Sequence, residues 1–319
     1  MVTKFRRPNS ATLMDTATEK HDAMNPPLAP LLDALGQIVF GKERPIRLAV
    51  CCLLARGHLL IEDIPGVGKT TLAHALAHLS GLSYQRVQFT SDLLPADILG
   101  AAIYDEKLRA FRFHPGPVFH QVVLADEINR ASPKTQSALL EAMEERQVSV
   151  EGETHPLPQP FFVIATQNPF HQHGTFPLPE SQLDRFLMRI SLGYPDPRAE
   201  RALLRGGSRA QLAAERKPCL TPAQLLDLQA QAEQVHVSEA VLDYVQALLQ
   251  RSREMAEFSL GLSPRAGLGL LQAARAWAFL DGRDFVLPDD VQAVLEPVAG
   301  HRLGDEGGVL RLLEAVAVP

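Results

Sequence analysis

The sequence contains few cysteines and no long hydrophobic run. Three cysteines occur in 319 residues, and Cys51 and Cys52 are adjacent within an apolar stretch. No C-x-x-C spacing indicates a redox or metal pair, so we interpret these two thiols as reduced core residues, as is usual in the cytosol. No apolar run approaches the ~20 residues of a membrane-spanning helix. These absences favour a cytoplasmic protein without a membrane span.

The sequence also lacks a signal-peptide pattern and an excess of positive charge. The basic residues Lys4, Arg6 and Arg7 are followed by polar residues rather than by the apolar segment of a secretory signal. The formal net charge is −6, which gives no overall attraction to nucleic acid or to an anionic membrane. We therefore expect a cytoplasmic protein that has no nucleic acid among its partners.

Hydrophobic patterns divide the chain into three parts. Residues 1–27 are polar and predict a disordered tail. In residues 28–194, apolar runs that suit buried parallel strands alternate with helical patterns, which indicates an α/β domain. The composition changes at Tyr194–Pro197, and residues 195–319 are helical in pattern. The predicted strands are 59–62, 84–89, 122–125, 161–166 and 187–192, and two hairpins are predicted at 100–113 and 147–157.

A glycine-rich loop follows the first predicted strand. Gly66 and Gly68 allow backbone N–H groups to approach an anion closely. Lys69, at the positive end of the next helix, can reach the β- and γ-phosphates, and Thr70 can ligate Mg²⁺. Asp63 stands where the phosphate-loop pattern has its first glycine, and a tight turn with a surface lysine is the alternative interpretation. We expect an ATP site that includes Pro65, Gly66, Val67, Gly68, Lys69, Thr70 and Thr71.

Two acidic residues, Asp126 and Glu127, end the continuous apolar strand at 122–125. Ligands of parallel α/β sheets bind at the carboxyl ends of strands. Asp126 would hold Mg²⁺, largely through water, and Glu127 would orient and polarise the attacking water. The alternative is a strand that simply leaves the sheet through charged residues. The phosphate loop upstream disfavours this alternative.

Two further polar residues lie where a bound phosphate could meet them. Asn168 follows the strand at 161–166 and could hold the hydrolytic water or the γ-phosphate, with an ordinary turn residue before proline as the alternative. Arg265 lies in the first turn of a predicted helix, where its charge opposes the helix dipole. It therefore either faces an anion or is an ordinary solvated side chain. His171 and His173 have no further ligands at a metal-binding spacing, so we interpret them as loop residues.

Taken together, these motifs resemble AAA+ ATPases, and within them the MoxR subfamily. The resemblance covers the chain from about Leu28 to Leu303 and is most specific in Val123–Gln136. It implies a parallel sheet flanked by helices, with the two hairpins as inserts, followed by a small all-helical lid. In related ring ATPases these inserts face the pore and engage the substrate. The shorter matching segments are Gln88–Thr90, Ala165–Pro169, Leu183–Phe186 and Ser263–Ala266.

The resemblance implies roles for residues of the nucleotide site. Lys69 and Thr70 belong to its Walker A loop, and Asp126 and Glu127 belong to Walker B. Asn168 looks like sensor 1. The implied substrate is ATP, and the implied ligands of Mg²⁺ are Thr70 and Asp126.

Further implied roles lie outside these motifs. Arg185 looks like the arginine finger, which acts on the ATP of a neighbouring subunit. Arg265 looks like sensor 2, which reaches from the lid to the γ-phosphate. Val39, Phe40 and Gly41 match the segment that lines the adenine.

The implied function is that of a hexameric ring ATPase that remodels, matures or activates a partner protein. Partners of this subfamily often carry a von Willebrand factor A domain, and the resemblance suggests such a partner here. A DNA-translocating motor is one alternative, because Arg109, Phe111 and Arg112 share the first hairpin. A magnesium-chelatase ATPase subunit and a nucleotide-binding scaffold without turnover are the others. Asp63 and the two loop histidines depart from the family pattern.

Overall fold

The computed structural model describes residues 25–107, 109–168, 174–204, 215–304 and 307–319. Most of the predicted N-terminal tail, residues 1–24, lies outside these ranges. His171 and His173 also lie outside them.

A five-stranded parallel sheet forms the centre of the α/β part. The strands along the chain are β1 (Leu59–Glu62), β2 (Tyr84–Gln88), β3 (Gly100–Asp105), β4 (Ala110–Pro115), β5 (Val122–Asp126), β6 (Gln147–Val150), β7 (Glu153–Pro156), β8 (Phe162–Gln167) and β9 (Met188–Ile190). The central sheet has the order β2-β5-β8-β1-β9, with every neighbouring pair parallel. All of β5 is buried, because the sheet is covered on both faces. The predicted fold class is therefore confirmed.

Helices surround this sheet and make up the C-terminal part. They are α1 (Ala29–Ile38), α2 (Glu43–Leu54), α3 (Lys69–Leu79), α4 (Pro95–Leu99), α5 (Pro133–Glu145), α6 (Glu180–Leu183), α7 (Pro197–Leu204), α8 (Pro222–Glu233), α9 (Glu239–Glu254), α10 (Pro264–Leu280), α11 (Pro288–Leu303) and α12 (Gly308–Glu314). Four of these helices are capped by Ser132, Thr221, Ser238 and Ser263, since each side chain accepts a hydrogen bond from a backbone N–H of the first turn. Across the described ranges, no helix is both long and apolar enough to cross a bilayer.

The two predicted hairpins are confirmed as antiparallel pairs, β3 with β4 and β6 with β7. The predicted strand at 187–192 is too long, because β9 ends at Ile190. The next residues leave the sheet and bond to Asp63, as described below.

Two apolar clusters lie on opposite faces of the sheet. Leu59 and Ile61 of β1 belong to the larger cluster, together with residues of α1 to α3 and of the C-terminal helices. Leu60 points to the other face, where it joins Leu139 and Leu140 of α5. Helix α10 packs against α2 as well as against α8 and α11. The C-terminal helices therefore share a core with the first helices of the chain.

Candidate functional site

The phosphate loop connects the end of β1 to the start of α3. Gly66 and Gly68 have φ values of 86° and 102°, in the left-handed region that glycine adopts without strain. A Cβ at either position would meet no atom within 4 Å. Glycine is thus required here by the backbone conformation, and the space over the loop is open to a ligand.

Lys69 joins the loop to the end of β8. Its ammonium donates to the carbonyl oxygen of Asp63 at 2.5 Å and to Oδ1 of Asn168 at 3.2 Å. Burial lowers the pKa of Lys69, while the nearby carboxylates of Asp63, Asp126 and Glu127 act in the opposite direction. The structure therefore brings the predicted Walker A lysine and sensor 1 asparagine into direct contact.

The two acids at the end of β5 are held by the hydroxyl of Thr166 on the neighbouring strand β8. This hydroxyl donates to Oδ1 of Asp126 at 2.6 Å and accepts from the backbone N–H of Glu127 at 2.9 Å. Glu127 has a φ of 56°, and its Oε1 lies 3.5 Å from Nδ2 of Asn168. Glu127, the predicted metal ligand Asp126 and Asn168 thus form one connected group.

Two residues of β2, which no motif of the sequence singled out, contact these acids. Nε and Nη2 of Arg86 donate to Oδ2 of Asp126 at 3.0 and 2.6 Å. The side-chain amide of Gln88 donates to Oε2 of Glu127 at 2.9 Å, and Nε of Arg130 lies 3.1 Å from the same oxygen. Residues 86 and 88 lie on the same face of a strand, and this was the signal that the sequence offered. It indicates a contact with the acids only once β2 is known to pair with β5.

Asp63, at the position of the missing first glycine, is nearly fully buried. Its Oδ2 accepts hydrogen bonds from Oγ of Ser191 at 2.9 Å and from the N–H groups of Leu192 and Gly193, both at 2.6 Å. Its Oδ1 accepts from the N–H of Ile64 at 2.8 Å. Burial alone would raise the pKa of Asp63, but these hydrogen bonds outweigh it and hold the pKa below its ordinary value.

The segment predicted to line the adenine lies against the start of α7. Gly41 has a φ of 65°, and a Cβ there would lie 2.9 Å from Oδ2 of Asp196 and 3.1 Å from Cβ of Ala199. Val39 is buried, and Phe40 is partly exposed. The structure therefore places this segment at the junction between the α/β part and the C-terminal helices.

Arg185 and Arg265 lie together near the opposite edge of the sheet from the phosphate loop. Both contact Glu144, at 3.1 Å from Nη2 of Arg185 and at 3.0 Å from Nη1 of Arg265. The N–H of Leu187 donates to the carbonyl of His58, so the chain around Arg185 lies beside the start of β1. The four residues of β1 span about 13 Å between this edge and the phosphate loop.

The residues at the carboxyl edge fit a magnesium nucleotide. The N–H groups of an open glycine loop and the ammonium of Lys69 are suited to phosphate oxygens. The carboxylate of Asp126 and the hydroxyl of Thr70 are the hard oxygen donors that Mg²⁺ prefers. Hydrogen bonds already orient this carboxylate, because Oδ1 of Asp126 accepts from Thr166 and Oδ2 accepts from Arg86.

Two family models match the chain. The model of the ATPase family associated with various cellular activities (AAA) matches residues 58–188, and that of the AAA lid domain matches residues 250–309. The first spans the phosphate loop and the acidic pair, and the second includes α10, whose first turn contains Arg265.

Individual relatives extend the match to most of the chain. The sequence is 41% identical to chaperone MoxR1 of Mycobacterium tuberculosis over 304 residues, 89% of this chain and 80% of the relative. It is 43% identical over 280 residues to the uncharacterized protein YeaC of Bacillus subtilis, covering 88% of each. A crystal structure of a candidate ATPase from Cytophaga hutchinsonii has a TM-score of 0.84 at 35% identity and covers 97% of this chain and 99% of its own.

Proposed function

The chain belongs to the MoxR family of AAA+ ATPases, and on this premise we propose that it forms a ring that couples Mg²⁺-dependent ATP hydrolysis to the remodelling, maturation or activation of a client protein. The hydrolytic site belongs to a nucleotide-binding domain of residues 28–194, and residues 195–319 form the lid. The ring, which we expect to be hexameric, works in the cytoplasm.

One observation carries this proposal: both candidate arginines lie far from the phosphate loop of their own chain. Arg185 and Arg265 share Glu144 near the edge where β1 begins, whereas Lys69 follows the loop after its end. A strand of about 13 Å separates the two edges. The arginines therefore have no short route to the γ-phosphate held by their own Lys69. A head-to-tail ring, in which one subunit presents this edge to the next subunit's phosphate loop, brings them there.

Residues of one chain then perform the remaining steps of hydrolysis. Lys69 and the loop N–H groups orient the phosphates. Asp126 and Thr70 would hold Mg²⁺, which would supply Lewis-acid charge neutralisation. Glu127 accepts the proton of the attacking water, and Asn168 positions that water against the γ-phosphate. In this structure Gln88 and Arg130 contact Oε2 of Glu127. The water would therefore be bound at Oε1, which lies 3.5 Å from Nδ2 of Asn168.

The first hairpin supplies a surface for client contact. Tyr104 and Phe111 pair across β3 and β4 with ring centroids 5.4 Å apart, and the side chain of Phe111 is 73% exposed. Phe113 of the same hairpin stacks on His155 of the second hairpin, with centroids 4.0 Å apart. The stack supports movement of the two hairpins as one unit. Family membership supports a client that carries a von Willebrand factor A domain.

A trap experiment tests the proposal. Glu127→Gln should bind ATP and form rings but lose turnover, because the amide cannot accept the proton of the attacking water. Lys69→Ala, which should lose ATP binding, is the control for nucleotide-dependent capture. Mass spectrometry of the proteins retained by Glu127→Gln with ATP should identify a client, and full turnover by Glu127→Gln would refute the mechanism. Stimulation of the wild-type ATPase by DNA, falling steeply with salt, would favour a nucleic-acid motor instead.

A further inference from the structure

The segment that leads from the sheet into the lid is bonded on both sides. Residues 191–194 follow β9 and precede α7. On one side, the hydroxyl of Ser191 and the N–H groups of Leu192 and Gly193 all donate to one carboxylate oxygen of Asp63. We call residues 191–194 the linker.

Lys42 binds the same linker from its carbonyl side. Its ammonium donates to the carbonyl oxygens of Gly193 at 3.0 Å and of Tyr194 at 2.6 Å. Lys42 directly follows Gly41, the last residue of the proposed adenine segment. Gly193 therefore has an anion at its N–H and a cation at its carbonyl, a strong arrangement because both bonds are charge-assisted.

Asp63 also contacts the nucleotide side of the junction. Its backbone carbonyl accepts the hydrogen bond of Lys69, and its Oδ1 holds the N–H of Ile64 within the phosphate loop. One residue thus bonds to the lysine that would bind phosphate and to the segment that enters the lid. A displacement of the loop must either move the linker or break these bonds.

We propose that Asp63 is a positioning residue that couples the phosphate loop to the linker, so that the state of the nucleotide site sets the position of the lid and of Arg265. This inference rests on the proposed ATPase function and assigns a role to a residue that departs from the phosphate-loop pattern. A glycine at the same position would keep the loop conformation but could not bond to the linker.

The test uses substitutions at both ends of the contact in the full-length protein. Asp63→Gly restores the usual glycine and keeps the backbone carbonyl that Lys69 uses. It removes the bonds to the linker and, within the loop, the bond from the N–H of Ile64. Asp63→Asn keeps one acceptor oxygen without the charge. Ser191→Ala removes one of the bonds to Oδ2 and is mild enough to preserve folding.

Two readouts separate coupling from a purely structural role. The first is steady-state ATP hydrolysis resolved into kcat and KM. The second is the emission of Trp277, the one tryptophan of the sequence. Trp277 lies on the lid helix α10, and the guanidinium carbon of Arg47 on α2 is 4.8 Å from its ring centroid. Its emission therefore reports movement of α10 against α2 when nucleotide binds.

We expect Asp63→Gly to lower kcat by about tenfold with KM changed by less than about threefold, since charge-assisted bonds to the linker are lost while the phosphate loop remains. The nucleotide-induced change in Trp277 emission should disappear, and Asp63→Asn should recover part of both signals. Ser191→Ala should lower kcat in the wild-type background but not further in Asp63→Gly, because both changes remove the same contact.

Wild-type kcat and a wild-type Trp277 response in Asp63→Gly would overturn the inference, as would a wild-type protein whose Trp277 does not respond to nucleotide. If Asp63→Gly does not fold, a wild-type kcat and Trp277 response in both Ser191→Ala and Asp63→Asn would overturn it equally. Absence of ATP turnover in the wild type would instead refute the proposed function, and the Trp277 response to bound nucleotide would still decide the role of Asp63.

Discussion

Arg265 of the lid forms an ion pair with Glu144 of the α/β part, with 3.0 Å between Nη1 and Oε1. The other carboxylate oxygen of Glu144 lies 3.1 Å from Nη2 of Arg185. One carboxylate therefore holds both arginines that we assign to the ATP of a neighbouring subunit. A phosphate group of that neighbour would compete with Glu144 for the two side chains.

Substitution of Glu144 tests this competition. We expect Glu144→Gln to form nucleotide-dependent rings at about two- to fivefold lower protein concentration, because the neutral amide competes less with the phosphate for the two arginines. The effect is small, since solvent screens the partly exposed ion pair and its free energy is low. Light scattering against protein concentration, with and without ATP, measures the effect. Glu145→Gln makes the same charge change at the next residue and should behave as the wild type. Weaker assembly of Glu144→Gln would show that the carboxylate supports the ring contact rather than competing with it.

Thr166→Val should damage both stability and the use of Mg²⁺. The substitution keeps the shape of a fully buried side chain but removes the hydroxyl that bonds to Asp126 and to the N–H of Glu127. Leaving these groups without a partner should cost about 1–3 kcal/mol in the free energy of unfolding. The Mg²⁺ concentration for half-maximal turnover should rise, because Arg86 alone then orients the carboxylate of Asp126.

Urea denaturation and a Mg²⁺ titration of turnover measure these two effects. Thr154→Val, on the exposed second hairpin, is the matched control and should change neither quantity by a comparable amount. A Thr166→Val protein with wild-type stability and Mg²⁺ dependence would contradict the assigned geometry.

His58 should make the protein less stable at acid pH. Nδ1 of this buried ring accepts from the N–H of Val163 at 3.0 Å, and burial lowers its pKa from 6.5 to about 4. The unfolded chain binds a proton near pH 6.5 whereas the folded chain does not, so stability falls as the pH decreases from 6.5 towards 4. This residue should account for a loss of about 2 kcal/mol between pH 7 and pH 5.

Urea denaturation at these two pH values checks this prediction. His58→Gln should reduce the difference in stability between pH 7 and pH 5, although the variant itself is less stable. His114→Gln, on the exposed hairpin strand β4, should leave the difference unchanged. An unchanged pH dependence in His58→Gln would assign the loss to other groups, such as the buried His301, whose pKa burial also lowers.

Local patterns were sufficient to predict much of the fold. The first strand was expected over 59–62 and has these bounds. Both hairpins were also predicted, because turn residues and alternation act over a few positions of the chain. The roles of the remaining motifs were predicted from the family resemblance, and the relatives confirm the family.

Long-range contacts could not be predicted in the same way. The contacts of Arg86 and Gln88 depend on the pairing of β2 with β5, which no local pattern encodes. The sequence shows only that Asp63 departs from the phosphate-loop pattern, whereas in the structure its carboxylate binds a segment some 130 residues further along the chain. The same contact explains why the strand predicted at 187–192 ends early, since Leu192 and Gly193 donate to Asp63 instead of continuing the sheet.

The most direct test of the central claim is a mixture of two variants, Glu127→Gln and Arg185→Ala. Each should be nearly inactive alone, since loss of an arginine finger costs ~10³–10⁵ in turnover. In a mixed ring an Arg185→Ala subunit keeps its own Glu127 and receives Arg185 from a Glu127→Gln neighbour. If each site is completed by the next subunit, an equal mixture should recover about a quarter of the wild-type turnover, the share of neighbouring pairs in which both groups are intact. A mixture that stays inactive while rings form, or an Arg185→Ala protein that is active alone, would contradict the account.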